Sequence, residues 1–157
     1  MKKSFLLLFA FLVAKMVLQF YLINPIYDLH RDEYLHLDQA KHLAWGFASV
    51  PPVSSWIAWI ILQLGNGVFW VKFFPALFGA LTLLLVWKTI EALKGGLFAL
   101  LMGAVAILFS ALLRINILFQ PNSLEILLWT LVFFATLKYI QSENQHQIKR
   151  HNWLYIL

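Results

Sequence analysis

The run from Ser4 to Ile23 carries a single charge, Lys15, and apolar runs of similar character recur at 73–90, 95–113 and 124–140, with another starting near 153. A helix needs about 20 such residues to cover a hydrocarbon core of about 30 Å. Lipid offers no water to backbone N–H and C=O groups, so a chain built this way is confined to helices or a closed barrel. The alternating pattern of a barrel strand is missing, which leaves helices. Composition agrees: 62% of residues are hydrophobic and 12% charged, against about 25% charged in soluble domains. The expected fold is all-α, a polytopic bundle of transmembrane helices.

One apolar run is different. Val53 to Leu64 spans 12 residues and is closed by Gly65, Asn66 and Gly67, so it reaches only about 18 Å and is too short to cross. The positive-inside rule gives the same answer. If this run stays on one side, Lys2, Lys3, Lys88, Lys94, Lys138, Lys149 and Arg150 are cytoplasmic, while Arg31, Lys41, Lys72 and Arg114 face out. If it crosses, the inside keeps only Lys2, Lys3, Lys72 and Arg114. The first arrangement places the N-terminus in the cytoplasm of a multi-pass cell-membrane protein. It makes 24–72 one extracytoplasmic loop holding short interfacial helices, and it puts 114–125 on the same outer face. The basic residues behind the net charge of +5 are scattered between apolar runs, which excludes a nucleic-acid patch. The absence of cysteine excludes disulfides, thiolate metal sites and Cys nucleophiles. Lys2 and Lys3 precede a run that is too long for a signal peptide and has no small-residue cleavage site, so it reads as a retained first span. The chain stops a few residues into its last apolar run, as an N-terminal fragment of a longer protein would.

Into this hydrocarbon is set "HRDEYLHLDQAKHLAWG", His30 to Gly46. Asp32 and Glu33 lie where a loop would enter a short helix, and there acids also serve as caps that complement the helix dipole. From Tyr34 to Trp45 apolar residues recur at helical spacing, as on a helix lying along a membrane surface. His30, His36 and His42 recur every six residues, which fits no metal-binding pair on a helix. No metal or other cofactor is expected. Lys15, in the middle of a span, has to face the bundle or snorkel. Glu125 follows "FQPNSL" at the outer end of a span, where Asn122 or Ser123 can cap the helix and Glu125 can complete a capping box. An edge carboxylate on the face that also holds Arg114 is equally a functional candidate.

The order "RDEYLHLDQAKHLAWGFASVPPVSSW", "FFPALFGALTLLLVW" and "LLRINILFQPNSLEILLW" resembles the N-terminal third of the family 39 type glycosyltransferases. These are membrane enzymes of the GT-C class that include protein O-mannosyltransferases and lipid A aminoarabinose transferases. The resemblance implies inverting transfer of a sugar from a polyprenyl-phosphate donor to a hydroxyl acceptor at the extracytoplasmic surface. It implies that Asp32 is the catalytic carboxylate with Glu33 beside it, and that Glu125 occupies the place of a second acid, where Asp is more usual. Gly46, Pro51 and Pro52 match the family pattern, whereas Ser49 and Val50 stand where a His or an acid is often found. Arg31, Lys41 and Arg114 are the candidate contacts to the donor phosphate, and Gln120 and Asn122 are candidate polar contacts to substrate. Transporter subunits and non-catalytic membrane scaffolds remain alternatives. The first should show paired or inverted repeats, and the second needs neither the Asp-Glu pair nor the Gln-Pro segment.

Overall fold

The computed structural model describes residues 2–23, 28–48 and 50–142. The expected segments around Lys149, Arg150 and Trp153 lie outside the described residues, as does Ser49. Among the described residues the chain is helical throughout: α1 (Lys2–Tyr21), α2 (Arg31–Gln39) with a 3₁₀ turn at Ala40–His42, α3 (Pro52–Gln63), α4 (Val68–Ala92), α5 (Leu97–Leu108), α6 (Leu112–Ile115) and α7 (Pro121–Ser142). Three of these, α1, α4 and α7, are long and apolar enough to cross a membrane.

Cross-helix contacts fix the directions. Ser4 Oγ at the start of α1 donates to Glu91 Oε1 at the end of α4 (3.0 Å), and Phe20 stacks on Phe69 at their other ends (5.3 Å between centroids). These two helices are therefore antiparallel. Gln141 Nε2 donates to Ala92 O at 2.8 Å, so α7 ends where α4 ends and the two run parallel. Residues 93–120 must then carry the chain back along the bundle. Helix α5 covers only 12 residues of that path, about 18 Å, and ends well short of the expected boundary at 113. The break has a local cause: the Ser110 hydroxyl accepts the Leu112 N–H at 3.3 Å, which turns the chain into α6.

Helix α4 is the axis on which α1, α5 and α7 pack. Leu83 and Trp87 of α4 meet Leu8 of α1 and Leu100, Ala104 and Leu108 of α5 in one buried cluster. A second cluster at the opposite end joins Leu37 and Ala40 to Ala58 and Ile61 of α3, Val71 of α4 and Phe119. Helix α3 begins at Pro52 in the favoured first position. It ends in a Schellman turn, with Gly65 at φ +100° and the Asn66 N–H reaching Ile61 O at 3.0 Å. Its end leads into α4 just before Phe69, and its start lines a groove with Pro121, Leu124 and Leu128 of α7. Its buried face carries Ser54, Ser55, Ala58 and Ile61, while Val53, Trp56, Trp59 and Ile60 point outward, as on a helix embedded in apolar surroundings.

Lys15 is fully buried; its Nζ donates to Gln19 Oε1 at 2.8 Å, and Gln19 Nε2 donates to Leu113 O at 3.2 Å. Gly79 makes room for this chain of polar groups. A methyl group there would collide with Asn116 Nδ2 and stand 2.9 Å from Lys15 Cε. Gly79→Ala should therefore destabilise the bundle by the roughly 1–3 kcal/mol typical of overpacking, read as a lowered Tm in detergent. An unchanged Tm would show that the α1–α4–α6 contact is loose.

Candidate functional site

The polar residues gather where α4 and α7 begin. The sequence places a helix at 73–90, but α4 starts at Val68, so Lys72 belongs to the helix and is buried. Opposite it, α2 opens with His30 as N-cap; the Asp32 N–H points to His30 Nδ1 at 3.4 Å, and Glu33 Oε2 accepts the His30 N–H at 2.8 Å. The capping role considered for the Asp-Glu pair is thus filled by Glu33. Its carboxylate also takes both contacts from Lys72 Nζ, at 2.7 Å and 2.6 Å, and the Phe119 N–H at 2.8 Å. With 0% exposure and every oxygen occupied, Glu33 is a fixed anion that ties α2, α4 and the strap before α7 together.

Successive residues on a helix differ by about 100° in direction, so the neighbour of a buried acid points elsewhere. The Asp32 side chain is 37% exposed. Gln120 Nε2 donates to its Oδ2 at 2.7 Å, and Arg31 Nε stands 3.4 Å from Oδ1. The guanidinium of Arg31 is 88% exposed, free to swing toward a ligand.

The remaining candidates fall in two other places. Lys41 lies against Asp38 at 3.4 Å, on a cavity of about 520 Å³ lined also by Asp28, Tyr34 and Asn66. Glu125 and Asn122 share an open cavity of about 450 Å³ with Ile115, Trp129 and Thr130. Glu125 also lines an apolar groove with Pro51, Val53 and Leu128. Arg114 and Glu125, expected on one face, form no ion pair among the described residues. Arg114 sits on the four-residue α6, exposed. Helix α7 starts at Pro121, so Asn122 and Ser123 fall inside its first turn; the Ser123 hydroxyl donates to Ile115 O at 3.1 Å. The structure thus joins Arg31, Asp32, Glu33 and Gln120, and leaves Lys41, Arg114 and the Glu125–Asn122 pair apart from them.

Two members escaped the sequence reading. Lys72 was counted as an outer-loop cation, although a lysine entering an apolar helix near an acid pair is itself a signal of pairing. His36 is buried, packed edge-on against Phe119 with ring centroids 5.8 Å apart, and its Nδ1 has no hydrogen-bond partner. Burial lowers its pKa from the ordinary 6.5, outweighing a hydrogen bond with Gln39 and the charges of Asp32 and Glu33.

An all-helical chain with three helices fit to cross a membrane is a helical membrane protein of the GT-C kind. It belongs to the dolichyl-phosphate-mannose-protein mannosyltransferase family, whose model matches residues 49–157, and so to the membrane glycosyltransferases. The matched segment holds Lys72, Phe119, Gln120 and Glu125; Asp32 and Glu33 precede it and are joined to it by the bonds above. No curated protein and no solved structure matches the chain.

The depressed pKa of His36 has a consequence for stability. A base whose folded-state pKa lies below its unfolded value stabilises the fold above that unfolded value, and the contribution is lost as pH falls below it. Between pH 7.5 and 5 the Tm should fall more steeply for the native protein than for His36→Phe, which has nothing to protonate. Parallel curves would mean that His36 takes up its proton without cost.

Proposed function

We propose that this chain carries the base of an inverting sugar transfer from a polyprenyl-phosphate donor to a hydroxyl acceptor on the extracytoplasmic side. The observation that carries the reading is the unequal treatment of two adjacent acids. Glu33 is buried and neutralised by Lys72, while Asp32 is partly exposed and accepts its closest bond from a neutral amide, with His30 and Arg31 more distant and exposed. Only the second can meet a substrate as an ionised base.

A sugar or protein hydroxyl is a weak nucleophile, and a carboxylate within about 3 Å that accepts its proton during attack is worth roughly 10²–10⁴ in rate. The acceptor oxygen then bonds to the anomeric carbon from the face opposite the phosphate. The bond from that carbon to the phosphate oxygen breaks, and its electron pair leaves on the polyprenyl phosphate, which inverts the configuration. A phosphate needs no protonated acid to depart, so cations that meet its charge replace the second carboxylic acid of a glycosidase. Arg31 and Arg114 are exposed and suited to that task; Lys72 is committed to Glu33. Glu125, open in its cavity, is suited to hold hydroxyl groups of a substrate. The outer placement rests on the distribution of Lys and Arg and on the 12-residue length of α3, too short to cross.

Asp32→Asn keeps the shape of the side chain and its place in the first turn. In the whole enzyme, supplied with a polyprenyl-phosphate sugar, it should lower turnover by at least about 10²-fold while donor binding and Tm persist. Near-normal turnover would remove Asp32 as the base.

A further inference from the structure

We infer that Gln120 is the positioning residue of the base: it fixes Asp32 by one oxygen and leaves the other, Oδ1, to take the acceptor's proton. The inference rests on the reading of Asp32 given above and assigns Gln120 to the carboxylate instead of to the substrate.

Two consecutive residues of the strap bind two consecutive acids of α2. The Phe119 N–H meets Glu33 Oε1 at 2.8 Å, and the Gln120 amide meets Asp32 Oδ2 at 2.7 Å. Gln120 is not a free surface side chain. Its backbone is restricted by the following Pro121, and the residue before it is anchored on a buried carboxylate. The amide is therefore set in place before any substrate arrives, which is what holding a catalytic group within a fraction of an ångström requires.

The chemical identity of the holder matters as much as its position. A lysine or arginine in the same place would favour the charged form of Asp32 and weaken it as a base. A second carboxyl would compete for the same proton and disfavour its ionisation. The glutamine amide donates one hydrogen bond without a full charge. Two basic groups stand near Asp32 among the described residues: His30 Nδ1 lies 3.5 Å from Oδ2, the oxygen that Gln120 holds more closely, and Arg31 Nε lies 3.4 Å from Oδ1. The Arg31 side chain is almost wholly exposed, so it can turn to the donor phosphate and release that oxygen. The proton passes from the acceptor hydroxyl to Oδ1 as the new bond to the anomeric carbon forms and the phosphate departs. The resulting carboxylic acid then returns the proton to solvent.

The test is a set of pH–rate profiles for the whole enzyme in membranes with a polyprenyl-phosphate sugar, taken for the native protein, Gln120→Glu, Gln120→Lys, Gln120→Met and Asp32→Asn. The acid limb of kcat should move up by about one pH unit or more in Gln120→Glu and down in Gln120→Lys. Gln120→Met, which keeps the length and loses the donor, should cut kcat at least tenfold with donor KM nearly unchanged. A merely structural glutamine would not move the limb in opposite directions. If either charged variant fails to fold by its Tm, Gln120→Met decides through the split between kcat and KM. Profiles that superimpose, with Gln120→Met fully active and Asp32→Asn inactive, overturn the role of Gln120 alone. An active Asp32→Asn overturns the base and this inference with it. A raised donor KM with unchanged kcat in Gln120→Met would return Gln120 to substrate binding and also overturn the inference.

Discussion

A carboxylate and an ammonium group removed from water each lose several kcal/mol of solvation, and only close mutual contact with further hydrogen bonds offsets that loss. Glu33 and Lys72 meet these conditions, with the ion pair at 2.6 Å and backbone N–H groups from His30 and Phe119 on the remaining lone pairs. The interaction draws on parts of the chain that share no local sequence: the entry of α2, the second turn of α4 and the strap before α7. Around it lies the cluster of Leu37, Ala40, Ala58, Ile61, Val71 and Phe119, and α2 is fastened to α3 by the Ser55 hydroxyl, which donates to Gln39 Oε1 at 2.9 Å. A short helix such as α2 is marginal alone; this anchorage is what holds it, and its orientation decides where Asp32 points.

The adjacent acids illustrate how one local structure sustains two roles. Helical geometry turns Asp32 away from the pocket that swallows Glu33. The partners then differ in kind: a buried cation and two backbone amides close on one acid, while a neutral side-chain amide and the more distant, exposed His30 and Arg31 meet the other. Remote from both, Lys15 and Gln19 carry a second polar line through the apolar bundle to the carbonyl of Leu113, admitted by the missing side chain of Gly79. Both lines hold the connection between α5 and α7 against the rest, one through α6 and the other through Phe119 and Gln120.

Much of this was legible in the sequence because lipid leaves few options. Apolar length gave the all-helical class and the regions of α1, α4 and α7, and the family resemblance agrees with the family match, which spans "FFPALFGALTLLLVW" and "LLRINILFQPNSLEILLW" and begins after the Asp32-Glu33 pair. Boundaries were less legible where polar groups act at a distance. Lys72 read as a charge outside its helix because its partner is 39 residues away. The break after Leu108 depends on one serine hydroxyl inside an apolar run. Ser123, a natural cap by its position, is occupied by Ile115 O. The Asp-Glu pair divided between a buried, capping Glu33 and a partly exposed Asp32, which composition and spacing had no means to reveal. Arg114 forms no ion pair with Glu125 among the described residues; it lies on α6, a short turn and a feature without a sequence period.

The buried Glu33–Lys72 pair holds together the end of the bundle where α4 and α7 begin. A double-mutant cycle on the protein in detergent micelles tests it, using equilibrium unfolding of Glu33→Gln, Lys72→Met and the double variant. Each single variant strands a partner in the interior and is expected to lose about 3–5 kcal/mol, while the double variant is expected to lose clearly less than the sum. Losses that add to within about 0.5 kcal/mol, the behaviour of independent sites, would contradict the account.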